Sequence, residues 1–548
     1  MKKGAYILAG LFAAFLCYGP VGRMFLDSLS ALGPVTREIF GSTVTLLKLW
    51  HTFVLAGLTT ALALVVGVGF ALSVTSGSVP GAPLFRVLGV APLMIPPIVG
   101  AMAWSDTRDP ATVSGAAHWV VLFGQAVFNA MGGLQSLLGT VLILTFCLFP
   151  FVSILSVRAL ESVDARLFDS ARIARGEGRA RLLLLRMIAP DALAGALFVF
   201  VFSASEFGVP EYLSVLGGGK RWYSYPEEIF RRWDILGRQG EAASASAVAA
   251  SWPLIAFTAL ALVLLLRFRA KGTSETVTAD QESLVGRKGY LPRGKARLFG
   301  AAGLFWAGGT LLLGLAYPLA SMLTWTHGLS TFAKAWDQGG GDLIYSLECA
   351  AGAGLVTALL ALPLGHLAAR SRRGRLVEAL ALLPLSVPGV LLGIGIIRLW
   401  NDTPGPVGDL LAWVYGTPLM LVLAYTARFL PLAVLSLAAW FRRVPGQMEE
   451  AALLAGAGPL RRFLKVHLPM ALPAGFAGAI LTFVLSLREL DLAARVPAGN
   501  PTAINRIANV VHFGGQDVGA ALFILLFLCS ASLPLLYWTV TGKRPEVA

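Results

Sequence analysis

Hydrophobic positions gather in runs of spanning length at roughly 5–27, 52–75, 84–105, 137–158, 191–213 and 246–267. Six more follow at roughly 298–325, 345–369, 376–400, 418–440, 470–493 and 517–540. A membrane helix needs about 20 apolar residues, so the pattern predicts an all-α polytopic membrane protein with about 12 transmembrane helices. Between the two groups lies a polar stretch that includes Thr273-Ser-Glu-Thr-Val-Thr-Ala-Asp-Gln-Glu282, which reads as a linker. The expected organisation is a first six-span domain over 1–267, a cytoplasmic linker over 268–297 and a second six-span domain over 298–548. Lys2 and Lys3 precede a first run longer than a signal-peptide core, which predicts a retained first span.

The two groups carry related segments in the same order. Met94-Ile-Pro-Pro-Ile-Val-Gly in the third run matches Leu385-Ser-Val-Pro-Gly-Val-Leu in the ninth. Ala194-Gly-Ala196 stands ten residues before Glu206, and Ala477-Gly-Ala479 stands ten before Glu489. Ile229 to Ala243 resembles Ile507 to Ala521. A duplicated unit is expected, its copies related by an axis along the membrane normal and enclosing a path.

Composition narrows the class. Of 548 residues, 56% are hydrophobic and only 14% charged, against about 25% charged in soluble domains. This excludes a cytosolic enzyme, a disordered chain and a disulfide scaffold. The net charge of +14 reads as cations retained on the cytoplasmic side rather than a nucleic-acid surface, because no basic stretch is interleaved with stacking aromatics. Well over half of the 44 lysines and arginines fall at the N-terminus, after the fourth, eighth and tenth runs, in the linker and in the tail. That predicts cytoplasmic N- and C-termini, with Lys220 to Arg238 a local exception. Cys17, Cys147, Cys349 and Cys529 lie in apolar runs with neither disulfide nor zinc spacing, so they read as packing residues.

Chemistry concentrates after the tenth run. Glu450-Ala451-Ala452-Leu453-Leu454-Ala455 reads as a short helix that Gly456 stops, followed by a basic amphipathic stretch (Arg461, Arg462, Lys465) that re-enters the membrane at Pro469. Such a helix suits a groove on another protein or an interfacial anchor. The pattern Glu-Ala-Ala, three residues, Gly, nine residues, an aliphatic, one residue, Leu-Pro resembles the cytoplasmic-loop signature of permease subunits of binding-protein-dependent ABC importers; Val466 fills its aliphatic place. The resemblance implies that Glu450, Ala451, Ala452, Gly456 and Pro469 belong to a coupling loop that docks on an ATPase. A weaker copy follows the fourth run: Asp169-Ser170-Ala171, then Gly176 and Ile188-Ala189-Pro190. Two such permease domains in one chain resemble the ferric-iron and thiamine importer subfamily. Ser205-Glu206-Phe207-Gly208, and Pro497 to Thr502 followed by Asn505 to Gly514, are similar to segments of its ferric-iron members.

Glu206, Arg488, Glu489 and Asp491 lie within or at the edges of the fifth spans of each domain, where a lone charge costs about 2.5–3.5 kcal/mol on insertion scales. They are read as lining the translocation path, with Glu206 and Glu489 favouring a cationic solute; the alternative is that Arg488 pairs with a carboxylate and holds the bundle together. No cluster of Asp, Glu, Tyr and His marks a metal cage, and His366 reads as a packed residue; His512 sits in the family-like loop. The segment from Trp222 to Trp233 reads as an interfacial anchor or a docking face. No Gly-Lys-Ser/Thr phosphate loop occurs, so no catalytic residue and no cofactor are expected on this chain.

The expected function is therefore the type I permease of an ATP-driven importer in a bacterial inner membrane, most simply for ferric iron. Thiamine, phosphonate and polyamine remain alternatives, and an ion-driven secondary transporter is the rival class. The implied partners are two copies of an ABC ATPase carrying ATP-Mg, a periplasmic solute-binding protein and the lipid bilayer.

Overall fold

The computed structural model describes residues 3–106, 108–113, 115–130, 137–216, 222–236, 245–246, 248–271, 296–444, 446–497 and 500–541. Most of the expected linker, and the side chain of His512, lie outside them. In the first helix set, α1 is Lys3–Gly41, α2 Thr43–Thr75, α3 Ala82–Leu88, α4 Pro97–Trp104 and α5 Ala116–Ala130. Then come α6 (Leu137–Glu161), α7 (Ala165–Ser205), α8 (Gly208–Leu216), α9 (Tyr225–Leu236) and α10 (Trp252–Lys271). The second set opens with α11 (Ala296–Leu311), α12 (Tyr317–Trp325), α13 (Leu329–Arg370), α14 (Gly374–Leu382), α15 (Gly389–Asn401) and α16 (Gly405–Tyr415). It closes with α17 (Pro418–Arg443), α18 (Gly446–Leu454), α19 (Pro459–Arg462), α20 (Leu468–Leu487), α21 (Leu490–Ala493), α22 (Ala503–Phe513) and α23 (Gln516–Thr541).

Among the described residues, nine helices are long and apolar enough to cross a membrane. Large apolar side chains such as Phe305, Leu355 and Leu359 stand exposed on their flanks. In water such faces would be liabilities; against lipid tails they are the expected surface. The chain is a multi-pass membrane protein.

The third run of each group is not the straight span that its apolar length predicts. Ala82–Met94 with Pro97–Trp104, and Gly374–Ser386 with Gly389–Asn401, are helix pairs bent by 96° and 95°. Proline removes an N–H and disfavours helical geometry in the residue before it. Ile95 before Pro96 (φ −86°, ψ 116°) and Val387 before Pro388 (φ −86°, ψ 117°) adopt the same extended conformation. Each bend frees carbonyls that cannot be left bare in a membrane. Arg488 donates to Leu93 O at 2.9 Å, Thr258 to Ser386 O at 2.6 Å, and Arg428 to Val387 O. Two of these three donors come from the opposite helix set, so the bends are held by contacts between sets.

The first span of each set also packs on the other set. Cys17 of α1 donates to Ala427 O at 3.6 Å, Tyr18 donates to Leu380 O, and a Cβ on Gly395 would fall 2.7 Å from Pro20 O. Reciprocally, Tyr317 and Ser321 of α12 donate to Ala103 O at 3.2 and 3.0 Å, and the Tyr317 ring lies 4.1 Å from that of Trp104. The two sets are thus interlocked through their first helices, around the deeply buried α6 and α17.

At one end of the bundle, the N-terminus of α9 is held when Tyr225 N donates to Thr52 Oγ1 at 2.8 Å, and that of α22 when Ala503 N donates to Ser346 Oγ at 2.9 Å. Beside these matching caps, Lys48 pairs with Glu228 at 2.6 Å and Asp342 pairs with Arg506. Tyr225, Glu228 and Arg232 are buried, so much of the segment expected to be an anchor or docking face is internal packing.

Candidate translocation cavity and coupling loops

Glu206 and Glu489 terminate equivalent helices. The Glu206 N–H bonds to Ser203 O at 3.4 Å and that of Glu489 to Ser486 O at 3.2 Å, and both residues turn extended. Each helix therefore ends at its glutamate, short of the expected run ends at 213 and 493. Glu206 Oε1 accepts from Val209 N at 3.2 Å, capping the next segment.

The structure brings all four charged residues singled out in the sequence into one cavity. Glu206, Arg488, Glu489 and Asp491 line a space of ≈ 50 Å³ together with Arg428, Phe202, Pro97 and Ile98. A buried water needs about 10–15 Å³ by this measure, so the cavity is the size of a few waters or a small ion. Its walls come from both helix sets. Arg488 lines the cavity, and the bond it makes across the sets is to the backbone carbonyl of Leu93 rather than to the carboxylate that the alternative reading expected.

Arg428 was missed in the sequence, although a charge inside the apolar run 418–440 was a signal. It is 3% exposed, its guanidinium lies 5.7 Å from the Phe202 ring, and its Nε has no hydrogen-bond partner among the described residues. A second cavity of ≈ 170 Å³ shares Ile98 and Leu490 with the first and is lined by Glu211, Tyr212, Arg495, Asn505 and Asn509. Arg495 stacks at 4.4 Å on Phe230 and 5.4 Å on Phe207. Among the described residues no three His, Cys, Asp or Glu side chains converge as a metal site. His366 packs against His467 with ring centroids 4.9 Å apart, and its Nδ1 lies 2.9 Å from Tyr6 OH.

Far from the cavity, each loop segment turns at a glycine of positive φ. After α18, Gly456 N donates to Leu453 O at 2.9 Å and Ala457 N to Ala452 O at 3.0 Å, with Gly456 at φ +70°. This pair of bonds around a left-handed residue is the Schellman stop. In α7 the chain kinks at Gly176 (φ 78°, ψ 165°) and then runs on into the membrane. Glu450 and Ala451 are exposed, Ala452 is half-buried and Pro469 exposed. In the first loop Asp169 pairs with Arg172 at 3.2 Å, Ser170 Oγ donates to Arg166 O at 2.8 Å, and Ala171 is half-buried. Just before each glycine an apolar side chain projects outward: Leu454 is 91% and Ile173 85% exposed.

Residues 359–539 match the family described as binding-protein-dependent transport system inner membrane component. A ferric transport system permease protein of Actinobacillus pleuropneumoniae is 22% identical, covering 97% of this chain and 77% of that protein. A molybdenum transport system permease protein of Mycobacterium bovis is 32% identical over 35% of this chain and 76% of its own length. A trehalose transport system permease protein of Mycobacterium tuberculosis is 33% identical over 32% of this chain and 64% of its own. The family match contains the Glu450–Pro469 loop and three of the four predicted cavity charges, Arg488, Glu489 and Asp491. The chain belongs to the family of binding-protein-dependent transport system inner membrane components and is the permease of an ABC importer.

Proposed function

We propose that this permease passes ferric iron, with Glu206, Glu489 and Asp491 presenting carboxylate oxygens along the route. The observation that carries the reading is that these three side chains, drawn from two helix sets, line one cavity. Oxygen donors suit a hard trivalent cation, and the near full-length similarity to a ferric transport permease agrees with it. Arg428 and Arg488 keep the net charge of the wall low, so a cation is attracted without being trapped.

Energy enters from a partner. Two copies of an ABC ATPase, binding ATP-Mg, dock on the loops around 165–188 and 445–468, where Leu454 and Ile173 supply apolar contacts. The cation-rich face carrying these loops and both termini is cytoplasmic, and a periplasmic binding protein delivers the solute to the opposite face. A ligand shifts a conformational equilibrium only by binding its two states unequally; the loops are where nucleotide state is felt.

The test is uptake of radioactive ferric iron by proteoliposomes containing the chain, its ATPase and its binding protein. Uptake should require internal ATP and both partners. Uptake by the chain alone, driven by an ion gradient, would make it a secondary transporter; uptake of another solute in place of iron would keep the importer and reject the substrate.

A further inference from the structure

Two ion pairs lie between the loop-bearing helices and the bent helices. In the first set Arg86 of α3 bonds Glu161, the last residue of α6, at 3.4 Å. In the second set Glu378 of α14 bonds Arg442 near the end of α17. The positions correspond: Arg86 and Glu378 each stand ten residues before the bend prolines Pro96 and Pro388, and Glu161 and Arg442 each stand eleven after the intrahelical prolines Pro150 and Pro431. The charges are exchanged. What recurs between the sets is the bond, with acid and base on opposite sides.

The location gives the bond a task. Glu161 lies three residues before Asp164, whose side chain caps the start of α7 and hence of the first loop; Arg442 lies four before Gly446, the start of α18. At the first bend Pro97 and Ile98 line the cavity, and at the second a Cβ on Gly389 would fall 2.7 Å from the Oε1 of the cavity residue Glu489. Bonds to the preceding long helices lie beside each joint: Arg86 Nε donates to Val74 O of α2 at 3.0 Å, and Arg370 at the end of α13 donates to Val444 O, just past α17, at 2.7 Å. A loop movement that shifts the end of α6 or α17 therefore pulls on a short helical arm whose bend lines the cavity in the first set and touches its residue Glu489 in the second.

We infer that Arg86–Glu161 and Glu378–Arg442 are struts that transmit movement of the coupling loops to the bent helices at the translocation cavity. They are positioning residues, and the inference rests on the reading of the loops as ATPase docking sites. Three of the four side chains are largely buried, Arg86 at 12%, Glu161 at 25% and Glu378 at 10% exposure, so removing one member also costs stability, and the exchanged pairs separate transmission from folding.

The experiment uses the full chain with its ATPase in lipid nanodiscs, the four native cysteines replaced and Ile98→Cys introduced as a reporter. The rate of thiol labelling is measured with and without ATP and vanadate, and needs no knowledge of the solute. With the struts intact, nucleotide should change labelling severalfold. Glu161→Gln or Arg442→Gln should abolish most of that change while ATPase co-purification stays near the parent value, with the thermal midpoint lowered but the chain still folded. The exchanged pairs Arg86→Glu with Glu161→Arg, and Glu378→Arg with Arg442→Glu, should restore it. A full nucleotide response in both single variants would overturn the inference, as would variants that merely unfold and are not rescued by exchange. If the parent chain does not bind the ATPase, the docking reading fails and takes the inference with it; failure to move iron rejects only the ferric assignment.

Discussion

Glu228 and Arg506 occupy equivalent places in the two helix sets and carry opposite charges. Each lies three residues after a helix-start N–H held by a hydroxyl of a long span, and each pairs with a residue four positions before that hydroxyl, Lys48 or Asp342. Crossing the pairs between sets would set Lys48 against Arg506 and Asp342 against Glu228, two like-charge contacts. Reversed polarity therefore favours pairing within each set over exchange between interlocked sets.

This arrangement predicts a charge-exchange result. Glu228→Gln leaves Lys48 and the buried Arg232 facing an uncharged amide and should cost ~3 kcal/mol, as expected when one member of a buried pair is removed. Lys48→Glu with Glu228→Lys should recover little, because Arg231 and Arg232 also bond Glu228. Asp342→Arg with Arg506→Asp, in the more open pair, should recover most of the loss of either single change. Thermal unfolding in detergent checks all of them.

The same carboxylate sets a pH dependence. Burial alone would raise the Glu228 pKa, but hydrogen bonds from Lys48, Arg232 and Arg231 bring it below the ordinary carboxylate value. A group whose pKa is depressed by folding stabilises above its unfolded pKa, and that contribution is lost as pH falls through the folded value. The parent protein should lose thermal stability on acidification below about pH 4.3, the unperturbed glutamate value, and Glu228→Gln should show a shallower loss.

Gly456 and Gly176 separate docking from folding. A Cβ at either position meets nothing within 4 Å, while both have positive φ. Gly456→Leu should therefore cost only about 1 kcal/mol of backbone strain, with the bundle intact. Co-purification of the ATPase and transport should both fall at least tenfold. Survival of both would remove Gly456 from the docking surface.

Arg428 tests the cavity. Arg428→Met removes the donor to Val387 O and leaves a buried carbonyl at the second bend, costing about 1–3 kcal/mol. Arg428→Lys keeps the charge but not the planar fork and should restore stability more than transport. Glu206→Gln with Glu489→Gln should lower uptake of ferric iron about tenfold, a barrier change of about 1.4 kcal/mol, without altering ATPase co-purification.

The spans were legible because about 20 apolar residues in a row have few other uses, and the stop at Gly456 was legible because a left-handed residue is a local demand. The bends at Pro96 and Pro388 were less so: a folded apolar run and a straight one have the same composition, and the prolines marked a break without its 96° angle. The convergence of Glu206, Arg488, Glu489 and Asp491 was expected from their cost in a membrane, but Arg428 was not, since its partners lie on the bends. Interlocking of α1 with the second set and the exchanged ion pairs could not be read at all, because they join residues as far as 410 positions apart whose complementarity appears only once the chain is folded.

The central claim is that an ATPase grips the two loops, and site-specific cross-linking from Leu454→Cys and Ile173→Cys tests it most directly, with Leu355→Cys on a lipid-facing flank as control. The account predicts cross-links to the ATPase from 454 and 173 and none from 355. No cross-link from either loop, or an equal yield from 355, would contradict it.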